Sequence, residues 1–231
     1  MKTIGLIGGM SWESTATYYQ IINERVSAAL GGLHSARCLM YSFDFAAIEK
    51  FQSRDDWATC AQMVTKAAQI LEAAGADFIV ICTNTMHKVV PTLRAQIHIP
   101  ILHIAEVTAQ ALKDAGISTV GLLGTRVTME GEFYKDVIEA SGIRVLVPDA
   151  DARAVVDGII FHELCLGRIE DASRQKLLAM AEGLSARGAE GIILGCTEIG
   201  LLLSQKKTTL PLFDTALLHA EAAARVAMEE G

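Results

Sequence analysis

The chain has 231 residues, 51% of them hydrophobic and 20% charged, enough to bury one large core or two modest ones. Its formal charge of -7, with 20 basic residues that form no run or stripe, gives no attraction to nucleic acid or anionic membranes, so a small molecule or a protein is the expected partner. Every apolar run is interrupted before the roughly 18 residues a membrane helix needs, and Met1-Lys2-Thr3-Ile4-Gly5 enters a strand-like segment without an export signal, so a soluble cytoplasmic protein is expected.

In chain order, short β-rich apolar runs fall at Thr3 to Gly8, Cys38 to Phe43, Phe78 to Thr83, Ile101 to Ile104, Val120 to Thr125, Arg144 to Val147, Gly191 to Cys196 and Leu212 to Asp214. Segments of helical periodicity separate most of them. Ala58 to Ala74 and Ala172 to Ala186 are two such segments, each followed by a glycine suited to a helix C-terminus. This alternation predicts an α/β protein with parallel sheets covered by helices on both faces. The five cysteines, at 38, 60, 82, 165 and 196, are odd in number and contain no Cys-x-x-Cys, which argues for reduced thiols rather than disulfides or a zinc knuckle. The six histidines lack a paired helical spacing, so no metal is expected.

The chain also resembles itself. Thr3-Ile-Gly-Leu-Ile-Gly8 is answered by Thr119-Val-Gly-Leu-Leu-Gly124, with Tyr18 and Tyr134 at the same offset. Ala73 to Thr85, AAGADFIVICTNT, is answered by Ala186 to Glu198, ARGAEGIILGCTE, and Ile99-Pro-Ile-Leu-His103 by Leu210-Pro-Leu-Phe-Asp214. Three ordered pairs at about one offset predict an internal duplication into two lobes. Ligands of parallel sheets gather beyond the carboxyl ends of strands. There the first half reads Cys82-Thr83-Asn84-Thr85 and the second Gly195-Cys196-Thr197-Glu198.

Under this alignment Thr83 matches Cys196 and Asn84 matches Thr197. Two proton-handling groups on opposite faces of one carbon are what racemisation requires, one removing the proton and the other returning it. Cys196 suits the role of base, because a thiol near pKa 8.5 is lowered by a helix N-terminus or a cation. Thr83 does not ionise and needs a relay, so the site is expected to be chemically asymmetric. Cys82 is one residue early and should turn into the core.

These residues, with the opening Gly5-Leu-Ile-Gly-Gly-Met-Ser-Trp-Glu-Ser-Thr15, Asn84-Thr85-Met86-His87 and Gly195-Cys-Thr-Glu-Ile199, resemble the aspartate/glutamate racemase superfamily over essentially the whole chain. The resemblance implies two pseudo-symmetric doubly wound lobes, each with a mainly parallel four-stranded sheet, and an active site between them. It also implies racemisation without a cofactor, a small acidic amino acid as partner and a homodimer. The family commonly has Cys-Asn-Thr where this chain has Thr83-Asn84-Thr85, so the first thiol is missing. By resemblance Cys196 acts on the L-enantiomer and Thr83 on the D-face, with L-substrate preferred.

Met10, Ser11, Gln52, Asn84, Thr85, Thr125, Thr128, Thr197 and Glu198 are the candidate substrate contacts. For several of them a bland role competes: packing for Met10, a solvated helix face for Gln52, helix capping for Thr125, Thr128 and Glu198. The lobes are expected at 1–98 with 210–231, and at 99–209. A single thiol also resembles the arylmalonate decarboxylases, the enzymatic alternative. A non-catalytic amino-acid-binding protein is the third.

Overall fold

The computed structural model describes residues 1–229, which form two compact units: residues 1–104 together with the chain from His219 onward, and Ala105–Leu218. In the first unit β1 (Ile4–Gly8) is completely buried and pairs in parallel with β2 (Cys38–Ser42) and β3 (Phe78–Ile81), while β4 (Ile101–Leu102) extends the sheet beside β3, in the order β2-β1-β3-β4. In the second, β5 (Thr119–Gly124) lies between β6 (Arg144–Leu146) and β7 (Ile192–Gly195), with β8 (Leu212–Asp214) outside β7, in the order β6-β5-β7-β8. All eight runs read as strands are strands. The two orders are the same, as duplication of one folding unit requires.

The strands divide between the units differently from the expected boundaries at 98/99 and 209/210. Ile101 pairs with Ile79 in the first sheet, and Phe213 pairs with Ile193 in the second. Sequence position alone could not assign these short strands, whose place is set by the unfilled edge each one satisfies. The Ile79 N–H donates to Pro100 O at 2.9 Å, and the Ile192 N–H donates to Pro211 O at 2.8 Å.

Helices fill the connections: α1 (Trp12–Leu30), α2 (Phe45–Gln52), α3 (Trp57–Ala73), α4 (Val90–Arg94), α5 (Ile104–Asp114), α6 (Arg126–Glu130), α7 (Glu132–Glu139), α8 (Ala150–His162), α9 (Asp171–Ala186), α10 (Ile199–Leu202) and α11 (Thr215–Met228). The periodicity of α3 buries Cys60, Val64, Ala67, Ala68 and Leu71 as one stripe against Ile7, Ile79 and Ile81 of the sheet. Each fully buried Val or Leu in such a stripe contributes about 1.5–3 kcal/mol. Among the described residues no helix is long and apolar enough to cross a membrane.

The Gly8-Gly9 turn leaves no room for a side chain. Gly9 has φ 83°, and a Cβ there would lie 2.1 Å from Phe43 O. The Gly9 N–H donates to Thr15 Oγ1 at 2.8 Å and the Phe43 N–H to Gly8 O at 3.0 Å, so the turn binds β1 to both α1 and the end of β2. Gly9→Ala should therefore destabilise by more than about 2 kcal/mol, seen as a lower urea midpoint. Gly167→Ala, at φ 70° and ψ 15° in the left-handed helical region with nothing within 4 Å of the new Cβ, should cost only about 1 kcal/mol. Equal losses at the two positions would contradict this account of the turn.

Candidate active site

In the first unit the polar residues gather where β1 and β3 end. Ser11, the N-cap of α1, accepts from the Ser14 N–H at 3.3 Å, and the Ser14 hydroxyl reaches Cys82 O at 3.5 Å. This ties the start of α1 to the residue before Thr83. Met10 and Asn84 are buried, whereas Thr83 and Thr85 are partly exposed. Gln52 does not lie on a solvated face: its amide donates to the sulfur of buried Met86 at 2.8 Å, which brings the end of α2 against the loop after β3. Cys82 points into the core as expected, and burial raises its thiol far above the ordinary value.

His87 supports this loop from beneath. It is 1% exposed; its Nδ1–H donates to Thr83 O at 2.8 Å, and its Nε2 accepts from the Ile104 N–H at 3.2 Å. Because Ile104 donates to Nε2, the ring proton must sit on Nδ1, so the partners define the tautomer. Burial, together with neighbouring His103 and His219, holds this imidazole well below its usual pKa.

In the second unit β5 and β7 approach closely at Gly124 and Gly195, which are register partners; a Cβ on Gly124 would lie 2.8 Å from Gly195 O. Cys196 follows immediately. In the first sheet Ile7 pairs with Ile81, and in the second Leu123 pairs with Leu194, so Thr83 and Cys196 each stand two residues beyond equivalent pairs. The equivalence aligned from sequence is thus also the equivalence of the two sheets.

Cys196 is 7% exposed, and its Sγ–H donates to Glu198 Oε2 at 2.9 Å; the Thr197 hydroxyl donates to the same oxygen at 2.8 Å. Glu198 is itself buried. Thr125 caps α6 by accepting from the Thr128 N–H at 3.2 Å, and the two hydroxyls lie 3.0 Å apart, with Thr128 packed near Gly195. The capping role foreseen for Thr125 is real.

The electrostatics of Cys196 overturn the expectation of a lowered thiol pKa. Burial first, and the Glu198 carboxylate second, raise it well above the ordinary value. The expected helix dipole is weak, because α10 has only four residues, Ile199–Leu202. The resting group is therefore a thiol whose proton is already directed at a carboxylate. Sequence reasoning missed Ser14, and took His87 of Asn84-Thr85-Met86-His87 as a residue able to orient the first loop without a catalytic part, which its bond to Thr83 O agrees with. Ser11-Trp-Glu-Ser14 carried a capping signal, but nothing local pointed to the Thr83 carbonyl as the partner of His87. Among the described residues no group of three or more His, Cys, Asp or Glu side chains is arranged to hold a metal ion.

The repeated sheet and its matched polar loops at the strand ends place the protein among the duplicated α/β enzymes. Residues 7–223 match the Asp/Glu/Hydantoin racemase family, and the chain belongs to it; the family's chemistry makes the protein an isomerase. Among solved structures, a candidate Asp/Glu racemase from Yersinia pestis is 51% identical with a TM-score of 0.92, the alignment covering 99% of this chain and 100% of that one. An aspartate racemase homologue from Pyrococcus horikoshii is 32% identical with a TM-score of 0.84, again over 99% and 100% of the two chains. The broad specificity amino-acid racemase RacX of Bacillus subtilis is 24% identical over 94% of this chain and 95% of its own.

Proposed function

We propose that the protein racemises aspartate, glutamate or both without a cofactor, with Cys196 removing the Cα proton of the L-enantiomer and Thr83 delivering a proton to the opposite face. The observation that carries this reading is the Cys196–Glu198 hydrogen bond at a strand end whose counterpart in the repeat is Thr83. In this mechanism Glu198 accepts the thiol proton and the resulting thiolate takes the Cα proton. The α-ammonium of the substrate brings the positive charge that favours thiolate. A thiolate whose pKa is raised is scarce but strongly basic, which suits a carbon acid as weak as an amino acid.

Thr83 cannot hold the negative charge left by proton loss, so it passes on a proton from water rather than serving as a free base. Asn84, Thr85, Thr125, Thr128 and Thr197, with Met10, Ser11 and Gln52, are assigned to substrate binding. A cytoplasmic homodimer belongs to the same reading by family resemblance.

The test is racemisation and Cα deuterium exchange in heavy water with pure L- and D-aspartate and glutamate, no cofactor added. L- and D-enantiomers have equal free energy in water, so kcat/KM must be equal in both directions. The asymmetry should therefore appear in kcat at saturation, higher from the L-side, and in exchange of each enantiomer. Thr83→Ala should lower turnover of the D-enantiomer by about tenfold or more. Equal kcat from both sides would remove the assigned asymmetry. Carbon dioxide release from an arylmalonate in place of exchange would favour the single-thiol decarboxylase, and amino-acid binding with no exchange would favour a binding protein.

A further inference from the structure

The histidines around the first loop are more numerous than the chemistry assigned to that loop requires. His87, His103 and His219 are all at least 95% buried, with ring centroids 4.7 Å apart for His87 and His103 and 5.8 Å for His87 and His219. His219 donates from Nε2 to Leu102 O at 2.9 Å and accepts from the Tyr18 hydroxyl on Nδ1 at 2.9 Å. Burial is the main reason its pKa falls to about 4, which keeps it neutral. The short segment between β4 and α5 is therefore held on two sides, at Leu102 O by His219 and at the Ile104 N–H by His87. The other nitrogen of His87 holds the carbonyl of Thr83.

We infer that His87 is a positioning residue for Thr83: it transfers the rigidity of the β4–α5 junction to the Thr83 backbone, and so sets the direction from which that hydroxyl approaches the substrate. The bond to the Thr83 carbonyl is the operative one, because the Thr83 N–H turns back locally to donate to Ile81 O at 2.9 Å, while His87 links the carbonyl of the same residue to the distant β4–α5 junction. A neutral imidazole serves here because one nitrogen must donate while the other accepts, a pairing that the imidazolium cannot make. The inference rests on the two-sided proton transfer proposed above.

Two substitutions separate the two bonds of His87. In His87→Asn the side-chain amide occupies the place of Nδ1, so the donor to Thr83 O is kept and the acceptor for Ile104 is lost. In His87→Gln the amide reaches the place of Nε2, so the Ile104 contact is kept and the Thr83 donor is lost. Both leave one buried polar group under-satisfied, so their effects on stability should be similar.

Two reactions then report on the two faces of the substrate. Racemisation needs both faces. Chloride elimination from the L-3-chloro derivative of the acidic amino acid that is turned over needs only Cys196: the thiolate takes the Cα proton, the C–H electron pair forms the Cα=Cβ bond, and chloride leaves with the C–Cl pair.

His87→Gln should lower racemisation tenfold or more while elimination stays within twofold of wild type, and His87→Asn should retain both within about threefold. Equal racemisation by the two variants, or a parallel fall of racemisation and elimination in His87→Gln, would overturn the positioning role. A wild-type enzyme that eliminates chloride but fails to racemise, or that does neither, would instead remove the two-sided mechanism on which the inference rests.

Discussion

Cys196→Ser should abolish Cα proton exchange of the L-enantiomer, by about a thousandfold or more, and leave the fold intact. The two side chains differ by one atom, and a serine hydroxyl can still donate to the Glu198 oxygen that now accepts from sulfur. Packing should hardly change at a site bounded by Gly195 and buried Ile199. The acid–base chemistry is another matter. A thiol is several orders of magnitude more acidic than an alcohol, and even with its pKa raised by burial and by Glu198 it can ionise to a thiolate at a cost the reaction can bear.

A serine in the same surroundings cannot. The measurement is deuterium incorporation into L-aspartate and L-glutamate, with a melting curve recorded on the same preparation. Exchange that persists at wild-type rate in a folded Cys196→Ser enzyme would remove Cys196 from the mechanism. A matching loss of stability would show instead that the thiol is a packing residue.

Glu198→Gln should have opposite effects on the ionisation of Cys196 and on its catalysis. The carboxylate raises the thiol pKa by its charge and by accepting the Sγ–H, so an uncharged amide in its place lowers that pKa, and the amide N–H can donate to sulfur and favour the thiolate further. The thiol stays above its free value even so, because burial is the larger cause. Thiolate absorbance, taken as the difference from Cys196→Ser, should therefore appear at lower pH in Glu198→Gln than in wild type.

Racemisation should nevertheless fall by about a hundredfold at its plateau, since the group that takes the thiol proton is gone. The alkaline rise of the pH–rate profile should move to lower pH along with the thiol. A thiol titration that moves upward, or a variant as active as wild type, would contradict the role given to Glu198. The Thr197 hydroxyl, which donates to the same oxygen at 2.8 Å, can accept from the amide N–H that replaces it and so keep the substituted side chain in place.

Much of the architecture is legible in local sequence because the signals are local. The eight apolar runs are short and alternate with longer periodic segments, and helices such as α3 carry a buried stripe that periodicity alone displays. The duplication, and with it the equivalence of Thr83 and Cys196, follows from three ordered matches, and the strand registers Ile7 with Ile81 and Leu123 with Leu194 agree with it. The short strands Ile101–Leu102 and Leu212–Asp214 were legible as strands, but the sheet that each one joins was not. A strand of two or three residues carries little pattern, and its place is decided by which open edge needs its hydrogen bonds.

The site divides in the same way. Residue types and their spacing determined which loops hold the thiol, the hydroxyls and the carboxylate. Gln52 could be read equally as surface or site, because its contact with Met86 joins residues 34 apart in the chain. The protonation of Cys196 was misread, since a helix start suggests a lowered pKa and only the fold reveals that the thiol is buried against Glu198. The same holds for His87, whose proton is assigned by the two backbone groups it meets. Sequence by itself determined the order of the elements, their duplication and the candidate chemistry, all of which are written in neighbouring residues. Tertiary structure alone decided burial, hydrogen-bond partners and hence the charge each group carries, because these depend on distances through space that no local pattern encodes.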